Sequence, residues 1–227
     1  MLAPQVHAVA RNAHMARIDE ANDDLCAAFA TAPAAPGSPF AHGQQLFRQG
    51  DAVRLVYQLR EGVVISYRLL SDGRRQVAGF QLPGDLVGLE AGTEYATTAE
   101  ALSNVRASAI ARGDLADRAG KDIDLARALW QATTHAFQQS ERHAMILARH
   151  GATERVAAFL LDFSERLGHP ELVELPMTRQ DIADFLGLTI HTVSRTLSQL
   201  QAEGLIQARS TRHVRLLERG RLESICA

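Results

Sequence analysis

The 227-residue sequence predicts an α+β fold in which strands and helices are segregated along the chain. Three observations predict it. From Gly43 to about Ile110, short apolar runs (LVYQL, GVVISYRLL, QVAGFQL, PGDLVGL) are cut by glycines, with no helix of crossover length between them. From Asp122 to His150 there is neither glycine nor proline, and apolar residues recur at spacings of four and three. From Met177 to Leu205, two short amphipathic segments flank a glycine turn.

Residues 1–39 are alanine-rich and end in TAPAAPGSP. They are expected to form an N-terminal arm with some helix around Asp23 to Thr31, then a turn region. Residues 40–120 follow as a β-domain. Val63, Ile65 and Tyr67 alternate with Val64, Ser66 and Arg68, the period of a half-buried strand, and Ser71-Asp72-Gly73 is a hairpin turn. Short glycine-punctuated strands favour a closed, rolled antiparallel barrel over a parallel sheet. Its core is expected to be filled by Val56, Leu59, Val63, Ile65, Tyr67 and Phe80.

Residues 121–150 are expected to form a dimerisation helix. Ala126, Trp130, Thr133, Phe137, Ser140, Ala144 and Leu147 make a seam for a second helix, while Ile123, Leu125, Leu129 and Ala136 lie on a flank that would rest on the barrel. At roughly 1.5 Å per residue the helix spans about 40 Å, longer than one small domain needs.

Residues 151–227 form the last unit. Gly151 ends the long helix, and Thr153-Glu154-Arg155-Val156 starts another that runs through Leu160, Leu161 and Phe163 to Gly168. Thr178 caps the next helix with Asp181 as the reciprocal half of a capping box, and Ile182, Ala183, Phe185 and Leu186 make its buried side. Gly187 is the turn residue that enters a left-handed conformation without a Cβ penalty. Thr189 caps a second helix whose inner face is Val193, Leu197 and Leu200. Leu205-Ile206-Gln207 and Val214-Arg215-Leu216-Leu217, separated by a basic loop, read as a two-stranded wing, followed by an irregular C-terminal end. The pattern is a winged helix-turn-helix, which points to double-stranded DNA.

On the second helix, Ile190, His191, Ser194 and Arg195 lie outside the apolar face. Arg195 has the donor fork for guanine O6 and N7, His191 can reach a base or a phosphate, and Ile190 can meet a thymine methyl. Thr178, Arg179, Thr189, Thr192, Ser198 and Gln199 are placed for phosphates, and Arg209, Ser210, Thr211, Arg212 and His213 sit at the wing tip for the backbone or an adjacent groove.

A formal net charge of -2 excludes a uniformly basic coat but not one basic docking face. From Leu188 onward the arginines outnumber the glutamates and aspartate is absent, so the balance turns positive there. Cys26 and Cys226 are too few for a disulfide scaffold or a four-thiolate site. His7, His14, His135 and His143 lack ligand spacing and partners, and no phosphate loop, HExxH or nucleophile elbow is present. No cofactor, metal or enzyme activity is expected. With no apolar leader and no run of roughly 18 apolar residues, a cytoplasmic protein without membrane contact is expected.

The segments RQDIADFLGLTIHTVSRTLSQL, AMILARHGATERVAAFLLDF and PGDLVGL resemble the CRP/FNR family of bacterial transcription regulators, in particular its FixK-like branch tied to low-oxygen respiration and nitrogen metabolism. The resemblance covers roughly residues 40–217. It implies a cyclic-nucleotide-binding-type β-roll (jelly roll), a long dimerisation helix and a C-terminal winged helix. It also implies a homodimeric activator that reads a palindrome of TTG/CAA-type half-sites and recruits RNA polymerase. The family's base-reading positions fall on Ile190, His191 and Arg195. Arg195 keeps the family identity, whereas His191 stands where the family has a glutamate, so the resemblance leaves that base pair open.

The ligand side departs further. Cyclic-nucleotide-binding relatives carry an Arg-Ser pair where this chain has Thr97 and Thr98, and a cyclic phosphate there would be buried without a permanent cation. Oxygen-sensing relatives carry an N-terminal cysteine cluster, where this chain has Cys26 alone. The resemblance therefore implies activity set by abundance, with neither cyclic nucleotide nor iron-sulfur cluster. Two readings stay open beside it: a regulator of the same fold gated by haem or a small organic anion in a hollow barrel, and a scaffold that binds no DNA.

Overall fold

The computed structural model describes Leu25, Phe29 and residues 38–169 and 171–226. Eight strands come first: β1 (Ser38–Phe40), β2 (Gln45–Phe47), β3 (Leu55–Glu61), β4 (Val64–Leu69), β5 (Arg75–Gln81), β6 (Leu86–Val87), β7 (Thr98–Ala101) and β8 (Val105–Ala111). They pair antiparallel in two four-stranded sheets, ordered β1-β8-β3-β6 and β2-β7-β4-β5. Between the sheets Leu46, Phe47, Tyr57, Leu59, Val64, Val87, Ala99, Ala101, Val105 and Ala107 form one apolar interior. This is the expected roll, and β1 begins two positions before residue 40. The hairpin joining β4 to β5 turns at Gly73, whose φ of 82° only glycine adopts freely, and Arg74 N donates to Asp72 Oδ1.

The core expected from alternation is corrected in its direction. Of the six residues named for the roll interior, Leu59 is there. Val56 faces outward, packing with Ile110, Leu115, Leu125, Ala128 and the helical, buried Leu25 and Phe29. Ile65, Tyr67 and Phe80 also face outward, into a cluster made mostly of C-terminal residues, with Val63 packed partly buried against it. A period of two separates the two faces of a strand but does not say which one points inward. Here both are buried, one by the opposite sheet and one by the domain that follows.

Helix α1 (Arg112–Ala119) leads to α2 (Ile123–Leu147), the expected long helix. Asp122 caps α2 by accepting from Asp124 N and Leu125 N. The flank of α2 that rests on the roll is Leu125, Ala128, Leu129 and Ala132. Ile123 and Ala136, assigned to that flank from the sequence, are exposed instead. Ile123 points to the other side of the helix, and Ala136 continues the covered stripe one turn beyond Ala132, the last of its residues packed on the roll.

Helix α3 (Ala152–Arg166) precedes β9 (Leu172–Glu174), α4 (Arg179–Leu186), α5 (Ile190–Ala202), β10 (Ile206–Ala208), β11 (His213–Leu216) and α6 (Arg219–Ile225). Two elements depart from expectation. Leu172–Glu174 is a third strand that pairs with β11, so the wing is a three-stranded sheet ordered β10-β11-β9. The C-terminal end is the helix α6, held on α3 by the fully buried Leu222 and by Arg219, whose Nη2 lies 2.7 Å from Glu165 Oε1. Helix α6 is too short for its period to be read, and its cohesion comes from α3. Cys226 ends it partly buried, and burial pushes its thiol pKa up. The expected arm, with Cys26, His7 and His14, lies outside the described residues apart from Leu25, Phe29, Ser38 and Pro39.

Candidate nucleic-acid interface

The helix-turn-helix follows from a few local bonds. Thr178 Oγ accepts from Asp181 N at 3.1 Å and donates to Asp181 Oδ2 at 2.7 Å, and Thr178 N donates to the same carboxylate oxygen at 2.8 Å. That closes the capping box and satisfies two of the donors left over at a helix start. Gly187 ends α4 at φ 63°, ψ 37°, in the left-handed region. Thr189 then opens α5 by accepting from Thr192 N at 3.1 Å. Val193, Thr196, Leu197 and Leu200 are buried beneath α5, so its other face must point to solvent.

That outer face holds the expected reading residues together. Ile190, at 38% exposure, His191 and Arg195 are all exposed within the first two turns. Among the described residues neither His191 nor Arg195 has a side-chain hydrogen bond or ion pair, so both functional groups are free for an outside partner. Arg209, Thr211 and Arg212 are likewise exposed at the wing tip with uncommitted side chains.

The other expected contacts are partly committed. Thr189 and Thr192 hydroxyls bond each other at 2.9 Å, Ser198 Oγ donates to Ser194 O at 3.1 Å, and Gln199 Nε2 donates to Glu203 Oε1 at 3.0 Å. Ser210 Oγ accepts from Arg212 N and His213 N and bonds His213 Nδ1 at 3.0 Å, which shapes the wing turn. Arg179 is half-buried, with Nη1 enclosed and without a hydrogen-bond partner among the described residues, and burial lowers its pKa. These groups shape the surface at least as much as they extend from it.

The expected dimer seam also shares one face. Trp130 is 74% exposed and Phe137 63%, with Thr133, Ser140 and Ala144 exposed beside them, whereas Ala126 and Leu147 at the two ends are partly covered. Ile123 and Met145 widen this apolar stripe.

Sequence reasoning missed the contacts that join the helix-turn-helix to the rest of the chain. Phe80 of β5 meets Phe159, Phe163 and Phe185 at centroid distances of 6.2, 6.2 and 5.1 Å. Arg166 Nη2 donates to Phe80 O at 2.5 Å and lies 3.3 Å from Asp85 Oδ2. His143 stacks on Phe185 at 3.7 Å, and its Nε2 donates to Phe185 O at 2.7 Å. Arg155 bridges the exit of α2 to the turn, donating to Arg149 O at 3.0 Å and Leu186 O at 3.1 Å. Arg75 ion-pairs with Asp181 and Asp184. Apart from Arg155 and Arg149, these partners are far apart in sequence, and no local pattern joins them.

In the roll, Thr98 is buried and its hydroxyl accepts from Gln49 N at 3.0 Å. An open cleft of about 340 Å³ reaches the edge of that interior, lined by Phe47, Tyr57 and Tyr95 from it and by Arg54 among others. Its tyrosine hydroxyls are committed to Leu46 O and to the Leu55 backbone. Among the described residues no group of three metal-ligating side chains occurs, and no helix is long and apolar enough to cross a membrane.

Comparison with known proteins adds the following. Residues 154–225 match the Crp-like helix-turn-helix domain, and residues 38–122 match the cyclic nucleotide-binding domain. The chain is 44% identical over 199 residues to the nitrogen fixation regulation protein FixK of Azorhizobium caulinodans, covering 85% of this chain and 80% of that one. It is 40% identical over 167 residues to the transcriptional activatory protein AadR of Rhodopseudomonas palustris, covering 72% and 70%. The structure of FixK2 from Bradyrhizobium japonicum superposes with a TM-score of 0.78 at 40% identity, covering 85% of this chain and 98% of that one.

Proposed function

We propose, from the premise that this chain belongs to the FixK-like branch of the CRP/FNR family of bacterial transcription regulators, that it works as a homodimeric activator of low-oxygen or nitrogen-metabolism genes. Two copies pair along the exposed stripe of α2. Each then presents one α5 to the major groove of a palindrome with TTG/CAA-type half-sites, and the bound dimer recruits RNA polymerase. Arg195 reads a guanine by its fork, Ile190 meets a thymine methyl, and His191 sets the preference at the remaining pair. The phosphate contacts come from Thr178, Arg179, Thr189, Thr192, Ser198, Gln199 and the wing tip. A matched pair of reading helices is what two-fold symmetric DNA requires.

The observation that carries this reading is the uncommitted Arg195 guanidinium on an exposed helix face anchored by Val193, Leu197 and Leu200. The activity is read as independent of cyclic nucleotide and iron-sulfur cluster. In support, Thr97 and Thr98 supply no cation for a phosphate, and Thr98 is hydrogen-bonded within the roll. The gated alternative needs a hollow roll, and the packing of Leu59, Val64, Ala99 and Val105 weighs against it. A scaffold without DNA would retain its biological effect in Arg195→Ala.

Selection of bound fragments from a random duplex pool tests the reading. The full chain is expected to enrich symmetric TTG/CAA half-sites, and Arg195→Ala to lose discrimination at one base pair by about 1–3 kcal/mol. Enrichment of no symmetric site by the wild-type chain would overturn it.

A further inference from the structure

The contact between the roll and the DNA-reading unit has an apolar centre and a charged edge. The centre is the cluster of Phe80, Phe159, Phe163 and Phe185. At the edge Arg75, the first residue of β5, reaches across to α4. Its Nη2 bonds Asp181 Oδ1, and its Nη2 and Nε lie 3.0 and 3.1 Å from Asp184 Oδ2. The Tyr67 ring backs the guanidinium with its centroid 5.2 Å away, and Tyr67 is itself fixed by donating to Glu100 Oε2 at 2.9 Å.

Both acceptors already belong to the reading unit. Asp181 gives its other oxygen to the Thr178 cap, and Asp184 accepts from Gln180 Nε2 at 2.6 Å. The Asp181 side chain is 6% exposed and that of Asp184 15%, so solvent does little to screen or replace the pair. A planar fork that joins two carboxylates on successive turns fixes the rotation of α4 as well as its distance from the roll. Helix α5 packs directly on α4, so the direction in which Arg195 points is set through this contact.

We propose that Arg75 is a positioning residue for DNA recognition: a roll side chain that holds the first helix of the helix-turn-helix so that the second presents its reading face, while touching no DNA itself. The inference rests on the DNA-binding reading above. Its consequence is that a residue over a hundred positions from the reading helix governs affinity without governing sequence choice.

The test measures binding of the full chain to a fluorescein-labelled duplex carrying symmetric TTG/CAA half-sites, with fraction folded and dimer mass recorded for each variant. Arg75→Ala is expected to weaken binding roughly tenfold, about 1.4 kcal/mol, with the same order of preference across single-base variants of the site. Arg75→Lys should recover only part, because a point charge cannot fork. Arg75→Asp should bind poorly, and adding Asp184→Arg to it should restore affinity, a rescue that a general loss of stability would not produce. The rescue also decides the matter if Arg75→Ala fails to fold. Folded Arg75→Ala with wild-type or tighter affinity, or a reversed pair that rescues nothing, overturns the inference. A wild-type chain that binds no symmetric duplex overturns the functional reading instead.

Discussion

Replacing Trp130 with alanine should break the dimer, and the size of the effect follows from the structure. The side chain is 74% exposed on α2, with Phe137 at 63% two turns further on. A tryptophan presents about 150–250 Å² for burial, so each protomer offers about 150 Å² here and a symmetric pair about 300 Å². At about 25 cal/mol per Å², complete coverage would stabilise the pair by about 7 kcal/mol. Area never converts fully into affinity, and half coverage leaves about 3 kcal/mol, or roughly two powers of ten in the dimer Kd. Sedimentation equilibrium over a concentration series measures this directly. Phe137→Ala should act in the same direction. Arg127→Ala, on the same helix but spending its charge on Asp124 at 2.7 Å, should leave the mass unchanged. A Trp130→Ala protein whose dimer Kd stays within about twofold of wild type would refute the reasoning, because that surface would then not be the contact.

Three further outcomes are expected. Arg212→Ala at the wing tip should weaken binding to all duplexes alike and reduce the slope of log affinity against log salt by about 0.9, as loss of one phosphate contact does; an unchanged slope would remove Arg212 from the interface. Gly187→Ala should lower stability by about 1–2 kcal/mol, or the unfolding midpoint by roughly 2–8 °C, through the backbone alone. The added Cβ meets Arg155 Nη1 and Leu147 Cδ2 at ordinary distances of 3.8 and 3.9 Å, so a larger loss would point to steric conflict instead. Burial against Phe185 holds the His143 pKa below its ordinary 6.5, outweighing the Phe185 carbonyl and Asp162, which act the other way. The unfolded chain therefore binds a proton that the folded one resists, so this contribution is present above about pH 6.5 and is lost as pH falls through the folded value. Thermal unfolding between about pH 7 and pH 5 should show a smaller fall for His143→Gln than for wild type, and parallel curves would contradict the assignment.

Local chemistry was legible wherever a few neighbouring residues settle their own conformation. The capping box of Thr178 and Asp181, the left-handed Gly187, the Thr189 cap and the hairpin at Gly73 are each decided within about four positions. The exposure of Arg195 was legible for the same reason, since burying Val193, Leu197 and Leu200 leaves it nowhere to go but outward. The strands were found, but not the side on which each lies. Ile65, Tyr67 and Phe80 satisfy the alternation equally well inside the roll or under the C-terminal domain, and they lie under the latter. Strand β9 and helix α6 escaped notice because each is too short to show a period and each is held by a partner elsewhere in the chain, β11 and α3.

The amino-acid order by itself determined a β-roll, a long helix with an exposed apolar stripe, and a helix-turn-helix with Arg195 facing outward, because propensity, capping and periodicity act over a few residues and are written into adjacent positions. Tertiary structure alone decided which sheet face meets the C-terminal domain. That meeting is made by Arg75 with Asp181 and Asp184, Arg166 with Asp85, and Phe80 within a ring cluster, contacts between residues roughly 80 to 110 positions apart. A contact across such a distance exists only after the chain has closed, so no window of sequence can contain it.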